Sequence, residues 1–195
     1  MLSADVRFTV AQKHFAVNLQ LKEGLYLVMG PNGAGKTTFL RVLMGLFPFE
    51  GTINMDKPLG YIPQHYQPLN ASVEDNLRLF DVKNLPDNSP LQSKKRLNAM
   101  KLSGGEKAML GLTQVMALMP KTLLVDEITA HLDQPSTIMI ENTLKEYGNQ
   151  AVVLLVTHQW DTLLRLKVPT LLFLNSSAEL LPGEEAYNRL LETLK

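Results

Sequence analysis

The chain has 195 residues, of which 45% are hydrophobic and 19% are charged, and its formal net charge is zero. This composition is typical of one soluble globular domain with a sizeable core, and it lacks the basic excess that nucleic-acid-binding proteins usually show. Because the sequence contains no cysteine, disulfide bonds and cysteine-ligated metal sites are excluded.

The sequence also argues against insertion into a membrane. The N-terminus MLSADVRFTV lacks the basic start and the long apolar stretch of a signal peptide. The most apolar segments, 108–119 and 151–156, are shorter than the ~20 residues that a helix needs to span a bilayer. We therefore expect a soluble and cytoplasmic chain.

The N-terminal elements follow one another without long connections. Apolar and polar residues alternate over 6–10 and again over 15–21, which predicts an antiparallel hairpin with one buried face. The continuous apolar run at 25–30 predicts a strand that is covered on both faces. A glycine-rich turn then leads into a helical pattern over 35–47.

The rest of the chain alternates strand and helix patterns. Buried strands are predicted at 60–64, 122–127, 151–158 and 170–175, and a short helix at 184–195. Helical patterns between several of the strands favour an α/β fold with a mostly parallel sheet. The more polar stretch at about 65–101 predicts a small inserted helical lobe. We interpret its basic run Lys94-Lys95-Arg96 as a solvated helix face.

The glycine-rich turn matches the pattern G-x-x-x-x-G-K-[ST] without a mismatch. It comprises Gly30, Pro31, Asn32, Gly33, Ala34, Gly35, Lys36 and Thr37, and Thr38 follows it. Such a loop turns backbone N–H groups around phosphate oxygens at a helix N-terminus. Lys36 is expected to reach the β- and γ-phosphates, Thr37 to bind Mg²⁺, and Thr38 to support the phosphates. The alternative is an ordinary glycine turn with a surface lysine.

Two acidic residues end the predicted strand at 122–127, and both can face the phosphate loop because the chain turns there. Asp126 suits the ligand shell of Mg²⁺. Glu127 is the candidate general base that polarises an attacking water. The alternative interpretation is that two acids simply cap a strand.

The segment KLSGGEK at 101–107 has the form of a capping box, with Ser103 at the N-cap and Glu106 at position N3 of the following helix. A cap alone does not require Gly104 and Gly105. Two glycines beside a serine at a helix N-terminus predict a second anion site. A chain with two phosphate sites suggests that the second one serves a nucleotide bound to a neighbouring subunit.

These segments resemble an ABC-type ATP-binding cassette in their order and approximate spacing. The segments in question are GPNGAGKTT, Gln64, LSGGE, LLVDE, TAHLD at 129–133 and VTH at 156–158. The resemblance extends from the hairpin to the strand at 170–175. It implies a P-loop NTPase core, formed by 1–64 and 102–195 with an antiparallel β part, and a helical lobe at 65–101 that continues into the signature helix.

The resemblance also implies roles for individual residues. Gln64 would contact Mg²⁺ and the attacking water, His158 would contact the γ-phosphate, and Asp133 would end a D-loop that crosses a dimer interface. With Glu127 and Lys36 these residues form the expected catalytic set. The signature that acts on the partner's nucleotide would comprise Leu102, Ser103, Gly104, Gly105 and Glu106.

The sequence departs from the family pattern in three places. Ile128 replaces the usual proline after the catalytic glutamate. His131 stands where many transporter cassettes have alanine, and a histidine there also occurs in soluble tandem cassettes. The aromatic residue that stacks on adenine is not clearly placed: Phe15 and Phe8 are both candidates, and each is alternatively a core residue of the hairpin.

The resemblance implies ATP and Mg²⁺ as cofactors and a second ATPase subunit that pairs head to tail. Because no membrane span is predicted, a transporter would need separate permease subunits, and the chain would lie peripherally at the inner face of the cell membrane, with no nucleic-acid partner. One alternative is a soluble ABC-type ATPase that acts on the ribosome, DNA or another assembly. Another is a nucleotide-sensing module without turnover, against which Glu127 and His158 argue.

Overall fold

The computed structural model describes residues 1–174 and 176–192, and the strands in this part of the chain form one nine-stranded sheet. In chain order they are β1 (Leu2–Val10), β2 (Lys13–Leu21), β3 (Gly24–Met29), β4 (Glu50–Met55), β5 (Leu59–Ile62), β6 (Thr122–Asp126), β7 (Val152–Val156), β8 (Thr170–Leu174) and β9 (Ser177–Leu181). Their order across the sheet is β4-β1-β2-β9-β8-β3-β7-β6-β5.

The sheet combines a parallel and an antiparallel part. Neighbours among β5, β6, β7, β3 and β8 pair in parallel, whereas β1 pairs antiparallel with both β2 and β4. β9 joins the two parts, because it is parallel to β2 and antiparallel to β8. This arrangement confirms the predicted α/β class. The prediction of a strand at 170–175 included Asn175, which lies outside the described residues.

The sequence did not predict β4 and β9. Most residues of both strands are exposed, so neither strand carries the regular apolar alternation that marks a half-buried strand. Each is nevertheless hydrogen-bonded over most of its length, β4 to β1 and β9 to β8. Pairing with a neighbour rather than local pattern defines these two strands.

Six helices occur in the described residues: α1 (Lys36–Leu43), α2 (Val73–Arg78), α3 (Gly104–Ala117), α4 (Gln134–Tyr147), α5 (Trp160–Leu166) and α6 (Gly183–Glu192), with 3₁₀ turns at Gln92–Lys94 and Ala99–Lys101. Helix α1 is shorter than predicted, because the chain turns at Gly45 with φ at 72°. The last three residues of the predicted C-terminal helix lie outside the described part. None of the described helices is both long and apolar enough to cross a membrane.

The central strands separate two buried clusters. Leu123 packs on the side of α3 and α4, and its neighbour Leu124 packs on the side of α1 and the β1–β2 hairpin. Because successive side chains of a strand point to opposite faces, a strand covered on both sides must be apolar throughout. This explains the continuous apolar runs of β3, β6 and β7, and it fixes the strand ends where the site lies.

The segment 65–101 contains one short helix and the two 3₁₀ turns. Ser72 caps α2 by accepting a hydrogen bond from the Asp75 N–H at 3.1 Å. Val73, Leu77 and Leu91 belong to the same buried cluster as α3 and α4. The segment therefore shares its core with the sheet domain, and its limits at 65 and 101 stay a prediction.

Candidate active site

The glycine-rich loop connects β3 to α1, and its backbone requires glycine at several positions. Gly30, Gly33 and Gly35 have φ angles of 145°, 74° and 89°, which L-residues with a side chain rarely adopt. A Cβ atom at Gly30 would also clash with the backbone carbonyl of Phe173. Gly35 forms the N-cap of α1 without a side-chain cap. The first-turn N–H groups of α1 therefore have no capping side chain, as an anion site requires.

The side chain of Lys36 lies along the inside of this loop. Its Nζ donates to the carbonyl oxygens of Gly30 at 2.9 Å and Pro31 at 3.0 Å. Burial lowers the pKa of Lys36, and the carboxylates of Glu127 and Asp126 partly oppose this effect. A buried ammonium held by two carbonyl oxygens is well placed to exchange them for the oxygens of a phosphate.

Asp126 ends β6 as a buried carboxylate next to the loop. Its Oδ1 accepts from the Thr37 hydroxyl at 3.1 Å and its Oδ2 from the Tyr61 hydroxyl at 3.4 Å. Burial raises the pKa of Asp126, as does the nearby charge of Glu127, and the two hydroxyl hydrogen bonds oppose this shift. Tyr61, which comes from β5, was not predicted by the sequence as part of the site.

The pair Thr37 and Asp126 suits a hard divalent cation such as Mg²⁺. Both offer hard oxygen ligands, and the described residues contain no cluster of three or more His, Cys, Asp or Glu side chains that could hold a metal alone. Mg²⁺ commonly takes one or two protein ligands and completes its octahedron with substrate phosphates and water. The donor set therefore suits a metal that arrives with a nucleotide.

Glu127 follows β6 in the left-handed region, with φ at 46°. Its Oε2 accepts from Gln64 Nε2 at 2.9 Å and lies 3.7 Å from His158 Nδ1. The three residues follow the carboxyl ends of β5, β6 and β7, which are neighbours in the sheet. Clefts at such strand ends are where ligands bind in open α/β sheets. The fold thus brings together three polar side chains that lie far apart in the sequence.

The predicted capping box at the start of α3 is confirmed. Ser103 Oγ accepts from the Glu106 N–H at 3.3 Å, and Glu106 Oε2 accepts from the Ser103 N–H at 3.0 Å. Leu102 is buried beside them. In residues 1–174 and 176–192, no hydrogen bond or ion pair joins this signature to the phosphate loop at 30–38.

The interpretation of the basic run as a solvated face is wrong for Lys94. Its Nζ forms an ion pair with Glu106 Oε1, in which the Lys94 side chain is 38% exposed and the Glu106 side chain 18%. Burial raises the pKa of Glu106, but hydrogen bonds from Lys94 and Ser103 outweigh it and the net shift is downward. A run of like charges gives no sign of such a contact, because the partner lies on another element.

The two signature glycines have a packing role that the sequence did not predict. A Cβ atom at Gly105 would lie 2.6 Å from the Cβ of Ser136, and one at Gly104 would lie 3.0 Å from Leu132 Cδ2. Contacts below 3.0 Å do not occur between well-packed side chains, so Gly105 allows α3 to touch the first turn of α4. The N-terminus of α3 therefore packs directly on the segment that contains Asp133.

Asp133 caps α4 at the end of this segment. Its Oδ1 accepts from the Ser136 N–H at 2.8 Å and its Oδ2 from the Ser136 hydroxyl at 3.1 Å. These hydrogen bonds lower the pKa of Asp133. Gln159, beside His158, donates from Nε2 to the carbonyl of Thr129 at 3.1 Å. That contact ties the segment 129–133 to the end of β7, and no local motif predicted it.

The three departures from the family pattern have distinct positions. Ile128 is buried in the cluster that contains α3 and α4, so it contributes packing where a proline would restrict the backbone. His131 is exposed and lies in the left-handed region with φ at 66°. The third departure concerns the aromatic candidates Phe15 and Phe8, which both lie in the β1–β2 hairpin.

Phe15 and Phe8 lie directly opposite each other in the β1–β2 hairpin and stack with ring centroids 5.2 Å apart. Each is 3% exposed, which favours the alternative that they are core residues. An open cavity of about 230 Å³ lies beside the phosphate loop and is lined by residues that include Lys13, Asn32 and Ser176. In the described residues no exposed ring face lines this cavity, since Phe15 and Phe173 are buried.

Comparisons with known proteins agree with this geometry. The family described as ABC transporter matches residues 15–130. The phosphate import ATP-binding protein PstB 2 of Lactobacillus acidophilus is 30% identical over 212 residues, which cover 88% of this chain and 84% of the relative. The energy-coupling factor transporter ATP-binding protein EcfA1 of Thermotoga maritima is 32% identical over 177 residues, which cover 75% of this chain and 67% of the relative.

A solved structure shows the same fold. The structure of cbiO1 from Clostridium perfringens, part of the ABC transporter complex cbiONQ, superposes with a TM-score of 0.81 at 20% identity and covers 99% of this chain and 93% of that chain. The family match spans more than half of the sequence and includes the phosphate loop, the signature and the strand that ends in Asp126. The chain therefore belongs to the ABC transporter family.

Proposed function

We propose that this chain binds and hydrolyses ATP with Mg²⁺ and thereby powers a membrane transporter. One observation carries the proposal: Lys36, the Thr37–Asp126 pair and the Glu127 carboxylate with its two polar neighbours converge at the strand ends beside a P-loop. The relatives named as ATP-binding proteins of transporters support the transport role.

In the proposed reaction the chain first holds the phosphates. The backbone N–H groups of 33–38 and the Lys36 ammonium bind the phosphate oxygens. The loop and the N-terminus of α1 already point these donors toward the phosphate site. Thr37 and Asp126 would hold Mg²⁺, which would supply further charge neutralisation when bound. Positioned charges of this kind provide most of the rate enhancement in phosphoryl transfer.

Glu127 then acts on the attacking water. Its carboxylate accepts the proton of the water as a general base, and Gln64 orients both by donating from its amide. His158, whose side chain is 49% exposed, follows the end of β7 and would contact the γ-phosphate. The hydrogen bond from Gln64 to Glu127 at 2.9 Å supports this assignment, since a positioned base needs a group that fixes its orientation.

The signature serves a second copy of the cassette in this proposal. It lies at the N-terminus of α3, and in the described part of the chain no hydrogen bond or ion pair joins it to the phosphate loop at 30–38. A head-to-tail dimer would place the ATP of one subunit between its own P-loop and the partner's signature. Hydrolysis would then switch the pair between closed and open states.

The partner of the dimer would be a membrane-embedded permease, with the cassettes lying peripherally at the inner face of the membrane. The segment 65–101 offers exposed apolar side chains for such a contact, namely Leu69 at 58% and Leu79 at 64% exposure. A soluble ATPase of ribosomes or DNA has less support, because the named relatives are transport proteins and the net charge is zero.

The transport role predicts a loss of membrane association for a surface variant. Leu69→Ser together with Leu79→Ser is expected to leave ATP hydrolysis intact and to reduce co-sedimentation with membranes that contain the permease several-fold, because exposed apolar groups are lost at the contact. Leu118→Ser is the matched control, since Leu118 is 53% exposed but lies outside the segment 65–101, at the C-cap of α3. Equal co-sedimentation of both variants would argue against this docking surface.

The cavity beside the phosphate loop predicts weak selection of the base. Stacking on an exposed ring contributes on the order of 1–3 kcal/mol per base, and this cavity offers no such ring among the described residues. We expect ATP, GTP and CTP to bind within about ten-fold of each other. Lys13→Trp is expected to raise ATP affinity by roughly ten-fold in calorimetry. A hundred-fold preference of the parent chain for ATP would contradict this view.

A further inference from the structure

The carboxylate of Glu106 is shared between the N-cap of α3 and the segment that precedes it. One oxygen, Oε2, accepts from the Ser103 N–H at 3.0 Å and so closes the capping box. The other, Oε1, accepts from the Lys94 ammonium. The capping box alone uses only one oxygen, and the ion pair therefore adds a contact that the helix does not need in order to begin.

Lys94 reaches Glu106 from a well-anchored backbone. It ends the 3₁₀ turn Gln92–Lys94, and its N–H donates to the carbonyl of the buried Leu91 at 3.0 Å. Its own carbonyl accepts from the Leu97 N–H at 2.8 Å. Because these two hydrogen bonds hold the backbone of Lys94, its side chain extends from a fixed position. The ion pair is also mostly shielded on the Glu106 side, where 18% of the side chain is exposed.

The charge of Glu106 matters because of where it lies. It is in the first turn of α3, the turn that would face a partner's triphosphate. An unneutralised carboxylate there would repel phosphate oxygens over a short distance. Within residues 1–174 and 176–192, Lys94 is the one cationic side chain that forms an ion pair with Glu106.

We propose that Lys94 is a positioning residue of the signature. Its ammonium neutralises Glu106 and fixes the capping box, so that the N-terminus of α3 accepts the triphosphate bound to a second copy of the chain. This inference rests on the proposed head-to-tail dimer. It assigns Lys94 no contact with the reacting atoms, since the residue acts through Glu106 and Ser103.

The test measures dimer formation in the Glu127→Gln background, in which the ATP-bound state should accumulate. Lys94→Met is expected to raise the dimer dissociation constant in the presence of ATP and Mg²⁺ about ten-fold, measured by sedimentation. Each dimer contains two signatures, so a roughly three-fold loss at each one multiplies. The affinity of the monomer for ATP should not change, because Lys94 does not touch the P-loop.

Three further variants separate charge from folding. Lys94→Arg should retain the parent constant, and so should Lys95→Met, because Lys95 has the same charge and no ion pair in the described part of the chain. Glu106→Gln added to Lys94→Met should recover most of the loss, since glutamine also closes a capping box and carries no charge.

Each result has a defined meaning. A Lys94→Met chain that dimerises as tightly as its parent overturns the inference. The inference is also overturned if adding Glu106→Gln to Lys94→Met does not restore dimer affinity, because the effect of Lys94→Met would then be a loss of local structure. If the Glu127→Gln parent itself binds ATP but stays monomeric at every concentration, the head-to-tail proposal fails first and the inference falls with it.

Discussion

Lys36→Ala is expected to reduce the affinity for ATP by at least about 100-fold, because an ammonium that contacts two phosphates is lost from a buried position. The wild-type ammonium is held by two loop carbonyl oxygens at 2.9 and 3.0 Å, so it is already desolvated before the nucleotide binds. Among the described residues, no other Lys or Arg side chain donates a hydrogen bond to the carbonyl oxygens of Gly30 and Pro31. Titration calorimetry with ATP and Mg²⁺ measures the effect.

The fold should survive this change. Burial lowers the pKa of Lys36, so the folded state disfavours the charged form of this side chain, and loss of the charge should not destabilise the fold. Lys121→Ala is the matched control, since Lys121 is exposed and precedes β6 at the end far from Asp126. ATP binding retained in Lys36→Ala at the level of this control would show that the loop is not the nucleotide site.

Glu127→Gln is expected to slow ATP turnover by roughly 10²- to 10⁴-fold, the range that a positioned general base contributes. Glutamine has nearly the shape of glutamate and keeps a carbonyl oxygen for Gln64, but it accepts no proton from water. The phosphate contacts of Lys36 and Thr37 are unaffected, so ATP affinity should stay within a few-fold of the wild type. Release of phosphate, followed under saturating ATP, measures the rate.

The control for this second change is Glu23→Gln, because Glu23 is exposed at the turn before β3. It should hydrolyse ATP at the wild-type rate. Turnover by Glu127→Gln that equals the control would mean that another group activates the water. The contact of Glu127 with His158 at 3.7 Å makes His158 the first residue to test in that event.

The local motifs could be predicted from the sequence, because their geometry is encoded over a few residues. The P-loop needs glycines at strained φ angles, and the capping box needs Ser103 and Glu106 three positions apart. The apolar runs predicted the central strands, since a strand buried on both faces cannot alternate. The parallel sheet then brings the strand ends, and with them Gln64 and Glu127, to one place.

The remaining features arise from contacts between distant segments. β4 and β9 are defined by pairing with neighbours, and their exposed faces leave no apolar pattern to read. Lys94 finds its partner on another element, and Gly105 is required by the approach of Ser136 on α4. The sequence leaves Phe15 as a candidate to stack on the adenine base, but in the fold its ring stacks on Phe8. Such contacts depend on tertiary packing, which local sequence patterns do not predict.

The measurement that tests the account most directly is the mass of Glu127→Gln in solution, by light scattering, with and without ATP and Mg²⁺. We expect one chain mass without nucleotide and two chain masses with ATP, because the signature of each copy would complete the phosphate site of the other. A chain that binds ATP and keeps one chain mass up to high concentration would contradict the head-to-tail dimer of this chain with itself.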